Sequence, residues 1–480
     1  MVHAPPDTAA IPTRTLRTRT WLVLLAACAG QFLVVLDVSV VNVALPSMRT
    51  GLGMTPTGLQ WVVNAYSIAY AGFMLLGGRA GDLFGRKRMF LVGLGLFTAA
   101  SLAGGLAQEG WQLLLARGVQ GLGAAVLAPS TLTILTAAVP EGAARTRAIG
   151  TWAAVGAGGG AAGGLVGGVL TDTLSWRWVL LINVPVGALV LTGATLWITE
   201  SRAATRNRLD LPGAVAVTGG LAVLAYGIVQ TEQSGWTAPQ TLAPLLGGLT
   251  LLGAFLALEA RAAAPLMPLR LLRLRAVSSA NVVMFACGSA TFCTWYFMTL
   301  YAQNVLGYTP LGAGLALIPS SLSIVFGAKI APRLMPVTGT RNLTVIGVLI
   351  AAAGFGWQST MHAHDPYWMS ILVPGVLMMT GAGLATTPLA SLATSGAAPG
   401  EAGLVSGLIN TSRTMGGALG LAILSTVATA RTGDALTPEA LTEGYALAFR
   451  TGGFVLLAST VVALVWLPRA TGPKPVTPER

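Results

Sequence analysis

Charged residues are scarce in this chain of 480 residues. Asp, Glu, Lys and Arg together make up 9% of it, whereas a soluble globular domain contains about 25%. No long segment therefore has the polar content that covers the surface of a water-soluble domain. Apolar residues make up 54% of the chain, so the sequence predicts an all-α integral membrane protein whose solvent is the lipid bilayer.

Cysteine and histidine, which most often bind transition metals, occur only three times each. The cysteines lie inside apolar runs without metal-ligand spacing, so we assign no metal or redox role to Cys28, Cys287 and Cys293. The histidines lie outside the apolar runs, which argues against a histidine proton relay.

The sequence also lacks the short motifs of ATP hydrolysis and of common hydrolases. It contains no GxxxxGKS or GxxxxGKT phosphate-binding loop, no GxSxG elbow and no HExxH pair. We therefore expect neither an enzyme nor a bound cofactor, and energy must come from an ion gradient or from the gradient of the substrate. The net charge of +12 does not indicate nucleic-acid binding, because the basic residues are dispersed among short loops.

Fourteen apolar segments are long enough to cross a bilayer, which takes about 20 residues per helix. They lie at roughly 21–43, 59–80, 89–107, 112–136, 148–170, 178–198, 211–230, 241–259, 276–300, 311–332, 342–360, 368–391, 404–429 and 446–467. The even number of spans places both termini on the same side of the membrane.

The basic residues indicate which side this is, because positively charged loops stay in the cytoplasm. With both termini inside, all but six of the 28 Lys and Arg residues fall in inner segments. The exceptions are Arg49, Arg117, Arg177, Arg413, Arg431 and Arg450. Removing or adding one span would invert the later loops and destroy this bias, so the charges independently favour fourteen spans.

Charged inner loops at 200–210 and 259–275 bracket spans 7 and 8 and separate two sets of six spans. The predicted division is a cytoplasmic tail at 1–20, a six-helix bundle at 21–198, a linker with two spans at 199–275, a second six-helix bundle at 276–467 and a cytoplasmic tail at 468–480. Two such bundles around a central cavity are typical of secondary transporters, whose substrate sites lie near the membrane midplane.

Asp37 is the one acidic residue that lies well inside a predicted span. Its separation from Pro46 places it roughly 13 Å below the outer boundary of span 1. An Asp at such a depth costs about 3 kcal/mol to insert and usually serves a function. We expect Asp37 to bind and release a proton. The alternative is a structural role, in which it caps a helix break or pairs with a base.

Arg117 in span 4 lies at a similar depth, roughly 9 Å below the same face, and is the obvious partner of Asp37. If the two residues meet in one conformation only, Arg117 favours the ionised carboxylate there and Asp37 releases its proton. A permanent structural ion pair is an equally open alternative.

Polar residues inside other spans are candidates for a substrate cavity. Arg413 in span 13 is too deep to be wholly interfacial, so it either reaches back to the inner interface or contacts an anionic or polar substrate. Tyr66 either lines the cavity or anchors its span at the membrane interface. The other candidates are Asn42, Gln60, Asn64 and Asn410.

Span 1 contains the segment LDVSVVNVALP, residues 36–46. It resembles the signature of the fourteen-span drug:proton antiporters, a family of bacterial multidrug and antibiotic exporters within the major facilitator superfamily. In that family the aspartate, here Asp37, is associated with proton coupling. The resemblance covers almost the whole chain and implies the major facilitator fold, two six-helix bundles plus two extra transmembrane helices.

The loop between spans 2 and 3, GRAGDLFGRKR at 78–88, resembles the superfamily pattern GxLaDrxGrkxxl, with Ala80 in place of Leu and Leu83 in place of a basic residue. The resemblance implies a conformational latch. Glycines permit a tight turn, Asp82 can cap span 3, and basic residues hold the loop at the inner face. The residues that carry the latch are Gly78, Asp82, Gly85, Arg86 and Arg88.

Spans 4, 5 and 13 resemble the same family. In span 4, Arg117, Gln120 and Gly121 match a motif that the family ties to proton transfer. In span 5 an antiporter motif falls on Gly150, Gly159, Gly163, Gly164, Gly167 and Gly168, with Gly164 where proline is expected. The missing proline argues against a fixed kink, but a glycine face can still pack closely against another helix.

Together these features predict a proton-coupled antiporter that exports hydrophobic or cationic drugs or antibiotics by alternating access. We expect a monomer in the bacterial cytoplasmic membrane whose partners are protons, a small molecule and lipid, with no metal, cofactor or nucleic acid. Because a fold does not fix a substrate, transport of a specific metabolite, lipid or siderophore is the alternative. The buried acid and the glycine-rich helices disfavour a receptor or structural protein that transports nothing.

Overall fold

The structure, a computed structural model, describes residues 13–139, 143–201, 210–262, 265–395, 402–433, 435 and 437–468. These residues form seventeen α-helices and one π-helical turn, Trp368–Leu372, and contain no β-strand. The helices are α1 Thr13–Leu52, α2 Pro56–Phe84, α3 Arg86–Gly105, α4 Gly110–Ala138, α5 Ala143–Thr173, α6 Trp178–Leu181, α7 Asn183–Trp197, α8 Leu211–Ser234, α9 Pro239–Arg261, α10 Leu269–Leu272, α11 Arg275–Asn304, α12 Pro310–Ala316, α13 Ile318–Thr338, α14 Thr340–Gln358, α15 Val373–Ser395, α16 Ala402–Thr432 and α17 Pro438–Trp466.

Thirteen of the described helical stretches are long and apolar enough to cross a membrane. The remaining predicted span, 404–429, falls within α16, which is 31 residues long but is made more polar by the segment Asn410 to Arg413. Like its neighbours, α16 packs lengthwise on α2, α11 and α17. The chain is thus a multi-pass membrane protein, and the predicted all-α membrane fold is confirmed.

Three helices start at the face that the charge pattern assigns as outer, called the outer side below, with the same Thr-Pro pair. The hydroxyl oxygens of Thr55, Thr309 and Thr437 accept the backbone N–H three residues on, at 3.0, 3.1 and 3.3 Å. Proline follows each threonine at the first helical position, where its missing N–H removes no helical bond. The turns that lead into α2, α12 and α17 are therefore defined locally by the sequence.

Helix α1 is longer than the first predicted span. It continues through Pro46 to Leu52, although proline removes one backbone hydrogen bond from the helix interior. The outer end of α1 therefore lies beyond Pro46, which the sequence predicts as the boundary of span 1. Asp37 is accordingly further from the outer end of its helix than the sequence predicts.

The helices pack as two bundles and an inserted pair. In the first bundle α4 packs on α2 and α3, and α1 packs on α5. In the second bundle α11 packs on α16, and α15 packs on α13 and α14. The inserted helices α8 and α9 pack on each other, and α8 also contacts α2 and α16. The inserted pair therefore covers one side of the seam where α2 of the first bundle meets α16 of the second, called the α2–α16 seam below.

The glycines of α5 form two packing faces, of which the first lies against α1. Gly159, Gly163 and Gly167 share this face, and a Cβ atom on Gly167 would lie 2.9 Å from the carbonyl oxygen of Val40. Only a helix without side chains at these positions can approach α1 so closely. Gly150, the first glycine of the predicted motif, has nothing within 4 Å of such a Cβ and does not take part.

The second glycine face joins the first bundle to α12 of the second. A Cβ atom on Gly168 would lie 2.6 Å from Leu311 Cα, and one on Gly164 would lie 3.3 Å from the carbonyl oxygen of Gly314. Gly164, which stands where the family has proline, thus presents bare backbone to the bare backbone of Gly314. The departure from the family pattern falls at a contact between the two bundles.

Two hydrogen bonds accompany this contact on the outer side. Asp172 Oδ2 at the end of α5 accepts the backbone N–H of Leu311 at 3.1 Å. Gln303 Nε2 of α11 donates to the carbonyl oxygen of Val43 in α1 at 2.7 Å. We call these two bonds and the contacts of Gly164 and Gly168 with α12 the outer seal. The outer seal thus joins the two bundles on the outer side of Asp37.

Replacing Gly168 with valine should prevent the outer seal from closing, because its side chain would meet backbone atoms of α12 that cannot turn aside. We expect Gly168→Val protein to insert normally but to lose most of its transport. A cysteine placed at Val43 should then react faster with a membrane-impermeant thiol reagent. The matched control is Gly158→Val, at a position of the same helix where a Cβ meets nothing within 4 Å. Equal labelling and transport in both variants would contradict the assignment of the seal.

Candidate functional site

Asp37 of α1 and Arg117 of α4 form an ion pair inside the first bundle. Arg117 Nη1 donates to Asp37 Oδ2 at 2.6 Å. The two residues are only 1% and 2% exposed. Because an isolated charge in a low-dielectric interior is strongly disfavoured, each residue makes the burial of the other tolerable.

Two amide side chains complete the hydrogen bonding of the Asp37 carboxylate. Gln120 Nε2 and Asn183 Nδ2 donate to Asp37 Oδ1 at 2.7 and 2.9 Å. Both amides also lie within donating distance of Ser101 Oγ, at 2.8 and 3.3 Å. Side chains from α3, α4 and α7 therefore surround the acid of α1, and those of α4 and α7 supply hydrogen-bond donors to both of its oxygens.

The Arg117 guanidinium is held by more than Asp37. Its Nε donates to the carbonyl oxygen of Val62 in α2 at 3.0 Å, and its Nη1 also donates to Gln120 Oε1 at 2.7 Å. The Tyr66 ring lies 4.4 Å from its central carbon, a cation–π contact. The close approach of α2 depends on Gly121, where a side chain would collide with the Tyr66 backbone. Arg117 therefore keeps several partners when Asp37 is neutral.

Ser101 and Asn183 are the members of this network that sequence analysis missed. Asn183 begins α7 at the break after α6, within the INVP segment at 182–185. An amide in the middle of an apolar span was a usable signal for it. Ser101 had none, because serine is common in membrane helices and usually bonds to its own backbone.

The loop between α2 and α3 is capped by Glu200, which follows α7. Glu200 Oε1 accepts the backbone N–H of Lys87 at 3.1 Å, and Oε2 accepts that of Arg88 at 3.2 Å. The Arg86 backbone N–H donates to the carbonyl oxygen of Ser201 at 3.0 Å. The cap by Asp82 stays a prediction: its backbone lies in the last turn of α2, and its side chain lies outside the described residues.

Glycine and arginine fix the surroundings of this loop. Gly85 has a φ of 110°, and a Cβ there would lie 2.6 Å from the Glu200 carboxyl group, so glycine is required. Gly78 lies near Pro129 of α4. Arg79 lies close to Glu259 of α9 and so connects the loop to the inserted pair. The buried Glu259 carboxylate also accepts two backbone N–H groups, those of Leu266 and Met267.

The predicted cavity residues do not form a single site. Tyr66 belongs to the Arg117 environment, and Gln60 lines a pocket on the outer side. Asn42 and Asn64 are buried, and neither atom of the Asn64 amide has a hydrogen-bond partner among the described residues.

Asn410 and Arg413 lie together on α16. Arg413 Nη2 donates to Asn410 Oδ1 at 2.9 Å, and Tyr70 of α2 lies beside both. Asn410 Nδ2 also faces the sulfur of Met74 in α2 at 3.8 Å. These two residues therefore belong to the α2–α16 seam rather than to the Asp37 network.

Comparisons with known proteins agree with this architecture. The profile of the Major Facilitator Superfamily matches residues 27–421. The chain is 46% identical over 467 residues to the cephamycin export protein CmcT of Amycolatopsis lactamdurans, with 96% of each chain covered. It is 38% identical over 498 residues to the puromycin resistance protein pur8 of Streptomyces alboniger, with 99% of each covered. The fold is also similar to that of the POT family transporter PepTSo, at a TM-score of 0.69 and 14% identity over 94% of this chain and 97% of that one.

A lysine in place of Arg117 preserves the charge, but we expect it to destabilise the protein. An ammonium group lacks the planar fork that bonds Asp37, Gln120 and the Val62 carbonyl together. We expect Arg117→Lys to lower the unfolding free energy by about 1–3 kcal/mol, the cost of a buried partner left unsatisfied. The readout is the melting temperature of purified protein in detergent. Arg147→Lys, at an exposed position of α5, should leave that temperature unchanged, and an equally small effect at Arg117 would contradict the assigned geometry.

Proposed function

Because the chain belongs to the major facilitator superfamily, we propose that it is a secondary active transporter that exports drug-like or antibiotic molecules in exchange for protons. The observation that carries the proposal is the buried Asp37–Arg117 pair, on a helix that packs directly on the α5 glycine face. Two relatives named for cephamycin export and puromycin resistance favour the outward direction.

The proposed cycle begins with the carboxylate in the conformation described above. In a conformation that is open to the outside, Asp37 takes a proton and becomes a neutral acid, which ends its ion pair with Arg117. Arg117 retains Val62, Gln120 and Tyr66, so its charge stays solvated by the protein. The conformation that faces the cytoplasm returns the proton to the inner side. Neutralisation therefore weakens the attachment of α1 to α4 at low cost to the rest of the site.

A short series of contacts links Asp37 to the outer seal. Val40 lies one turn after Asp37 on α1 and packs on Gly167 of α5. Gly168, the next residue, packs on Leu311 of α12 in the second bundle. A shift of α1 relative to α4 is thereby passed to the contact between the bundles.

The energy available from protons is sufficient for resistance. One proton that moves down a potential of 100 mV releases about 2.3 kcal/mol, which sustains roughly a fiftyfold gradient of a neutral substrate before any pH difference is added. The proposal needs no cofactor and no catalytic step. The proposal includes a monomer in the bacterial cytoplasmic membrane, and the excess of Lys and Arg on one side supports its orientation with both termini in the cytoplasm.

The test uses protein reconstituted into liposomes with an imposed proton gradient. Asp37→Asn preserves the shape and removes the charge, so we expect it to abolish uphill transport while it retains exchange of substrate down its own gradient. Wild-type protein should lose uphill transport when a protonophore is added. Unchanged uphill transport by Asp37→Asn would overturn the coupling role.

A double substitution distinguishes coupling from a permanent structural ion pair. Replacing a buried pair with apolar residues of similar volume is often neutral for stability. If Asp37 and Arg117 act only structurally, Asp37→Leu combined with Arg117→Met should restore both stability and uphill transport. We expect it to recover the melting temperature only in part, because Gln120 and Asn183 lose their acceptor, and to recover no uphill transport.

A further inference from the structure

Arg413 is a cation without a carboxylate partner inside a membrane helix. It lies on the order of 16 Å along the axis from the start of α16 at Ala402. Its side chain is exposed, and its hydrogen bond goes to the neutral Asn410. In the described part of the chain no Asp or Glu lies within ion-pair distance of it. A charge at this depth is expected to have a counter-charge, which here must come from outside the described residues.

The Arg413 side chain faces the space between the bundles rather than lipid. Met415, Ala418 and Ala422 of α16 pack with residues of α8, on the side covered by the inserted pair. At about 100° per residue, Arg413 points to the opposite side of α16. There it meets α11, where Gly288 lies against its backbone, and α2, where Tyr70 lies beside it. Its exposure is therefore to the interior of the transporter.

A second cation stands further out along the same seam. Arg49 lines a pocket on the outer side together with Gln60 of α2, Asn304 of α11 and Thr429 of α16. The pocket lining contains no acidic residue, and the buried Gln60 Oε1 has no hydrogen-bond partner among the described residues. Two basic side chains, those of Arg413 and Arg49, thus lie along the α2–α16 seam at different depths, and each has neutral polar groups beside it.

The charge balance of this region favours one class of substrate. Asp37 is the single acid deep in the described spans, and Arg117 neutralises it. Among the described residues, a cationic substrate would find no unpaired carboxylate beside Arg413 or in the pocket lined by Arg49. We infer that the transported molecule is an amphipathic organic anion, whose carboxylate or similar acidic group binds Arg413 and Asn410 and passes Arg49 on the way out. This inference rests on the proposed exporter function and names its substrate class.

The anion site has a physical connection to the proton site. Tyr70 stands beside Arg413, its ring centroid lies 5.9 Å from that of Tyr66, and Tyr66 lies over Arg117. Both tyrosines belong to α2, so an anion that draws Arg413 toward itself acts on the helix that also contacts the Arg117 guanidinium. Substrate binding and the Asp37–Arg117 pair are thus joined through one helix.

The first experiment compares two cytoplasm-acting toxic probes of opposite charge, fusidate as the carboxylate and ethidium as the cation. Cells without their main exporters are given wild-type protein, Arg413→Gln, Arg413→Lys or Arg431→Gln. Arg431 is the matched control, since it lies on the same helix, is exposed and pairs with Glu443 at 2.8 Å. We expect wild-type protein and Arg431→Gln to protect against fusidate and not ethidium, Arg413→Gln to lose this protection, and Arg413→Lys to keep part of it.

The second experiment measures fusidate binding to purified protein by quenching of tryptophan fluorescence. Arg413→Gln should weaken binding by about tenfold or more, the scale of one charge-assisted contact. Asp37→Asn should still bind, which separates the anion site from proton coupling. Protection confined to ethidium, or unchanged fusidate binding by Arg413→Gln, would overturn the anion assignment and leave the exporter function standing. Protection against neither probe, with no fusidate binding by wild-type protein, would overturn the anion assignment, and the liposome experiment tests the exporter function separately.

Discussion

The architecture depends on the cost of placing a carboxylate in hydrocarbon. Asp37 is tolerated inside α1 because Arg117, Gln120 and Asn183 supply donors to both of its oxygens. Those donors come from α4 and α7, so the acid holds together helices that apolar packing alone would leave free to slide. The site is thus a structural centre of the first bundle, and the proposed function uses it as a switch because a proton on Asp37 would remove the ionic part of this attachment.

The glycines of α5 connect this local attachment to the contact between the two bundles. In a membrane, helices gain little from the hydrophobic effect against each other, so close backbone approach becomes the main source of specificity. Helix α5 uses one glycine face for α1 and the adjacent face for α12. The same helix thus touches α1, which carries Asp37, and α12, which belongs to the outer seal. Substitutions in the glycine faces of α5 change the distance between helices. They need not change any residue that binds a proton or a substrate.

The sequence predicted the helical membrane fold well, because apolar runs and basic loops report directly on the bilayer. It also singled out Asp37 and Arg117, since a charge in an apolar run is conspicuous, and the structure places them in contact. It did not identify Ser101, whose residue type is ordinary in membrane helices, nor Glu200, whose role as a cap requires that the ends of α3 and α7 meet in space. The cavity candidates separated into different environments because a linear pattern shows depth but not which helix face points inward. Arg413 was noted for its depth, but its missing counter-charge became visible only with the neighbouring helices in place.

The central claim is that Asp37 exchanges a proton when the substrate binds. It is tested most directly by the pH change of a weakly buffered solution of purified protein in detergent when saturating substrate is added. The account predicts release of about one proton per bound molecule by wild-type protein at some pH within the range in which it stays folded, and none by Asp37→Asn that still binds the substrate. Equal release by both proteins, or binding by wild-type protein without release at any pH at which it stays folded, would contradict it.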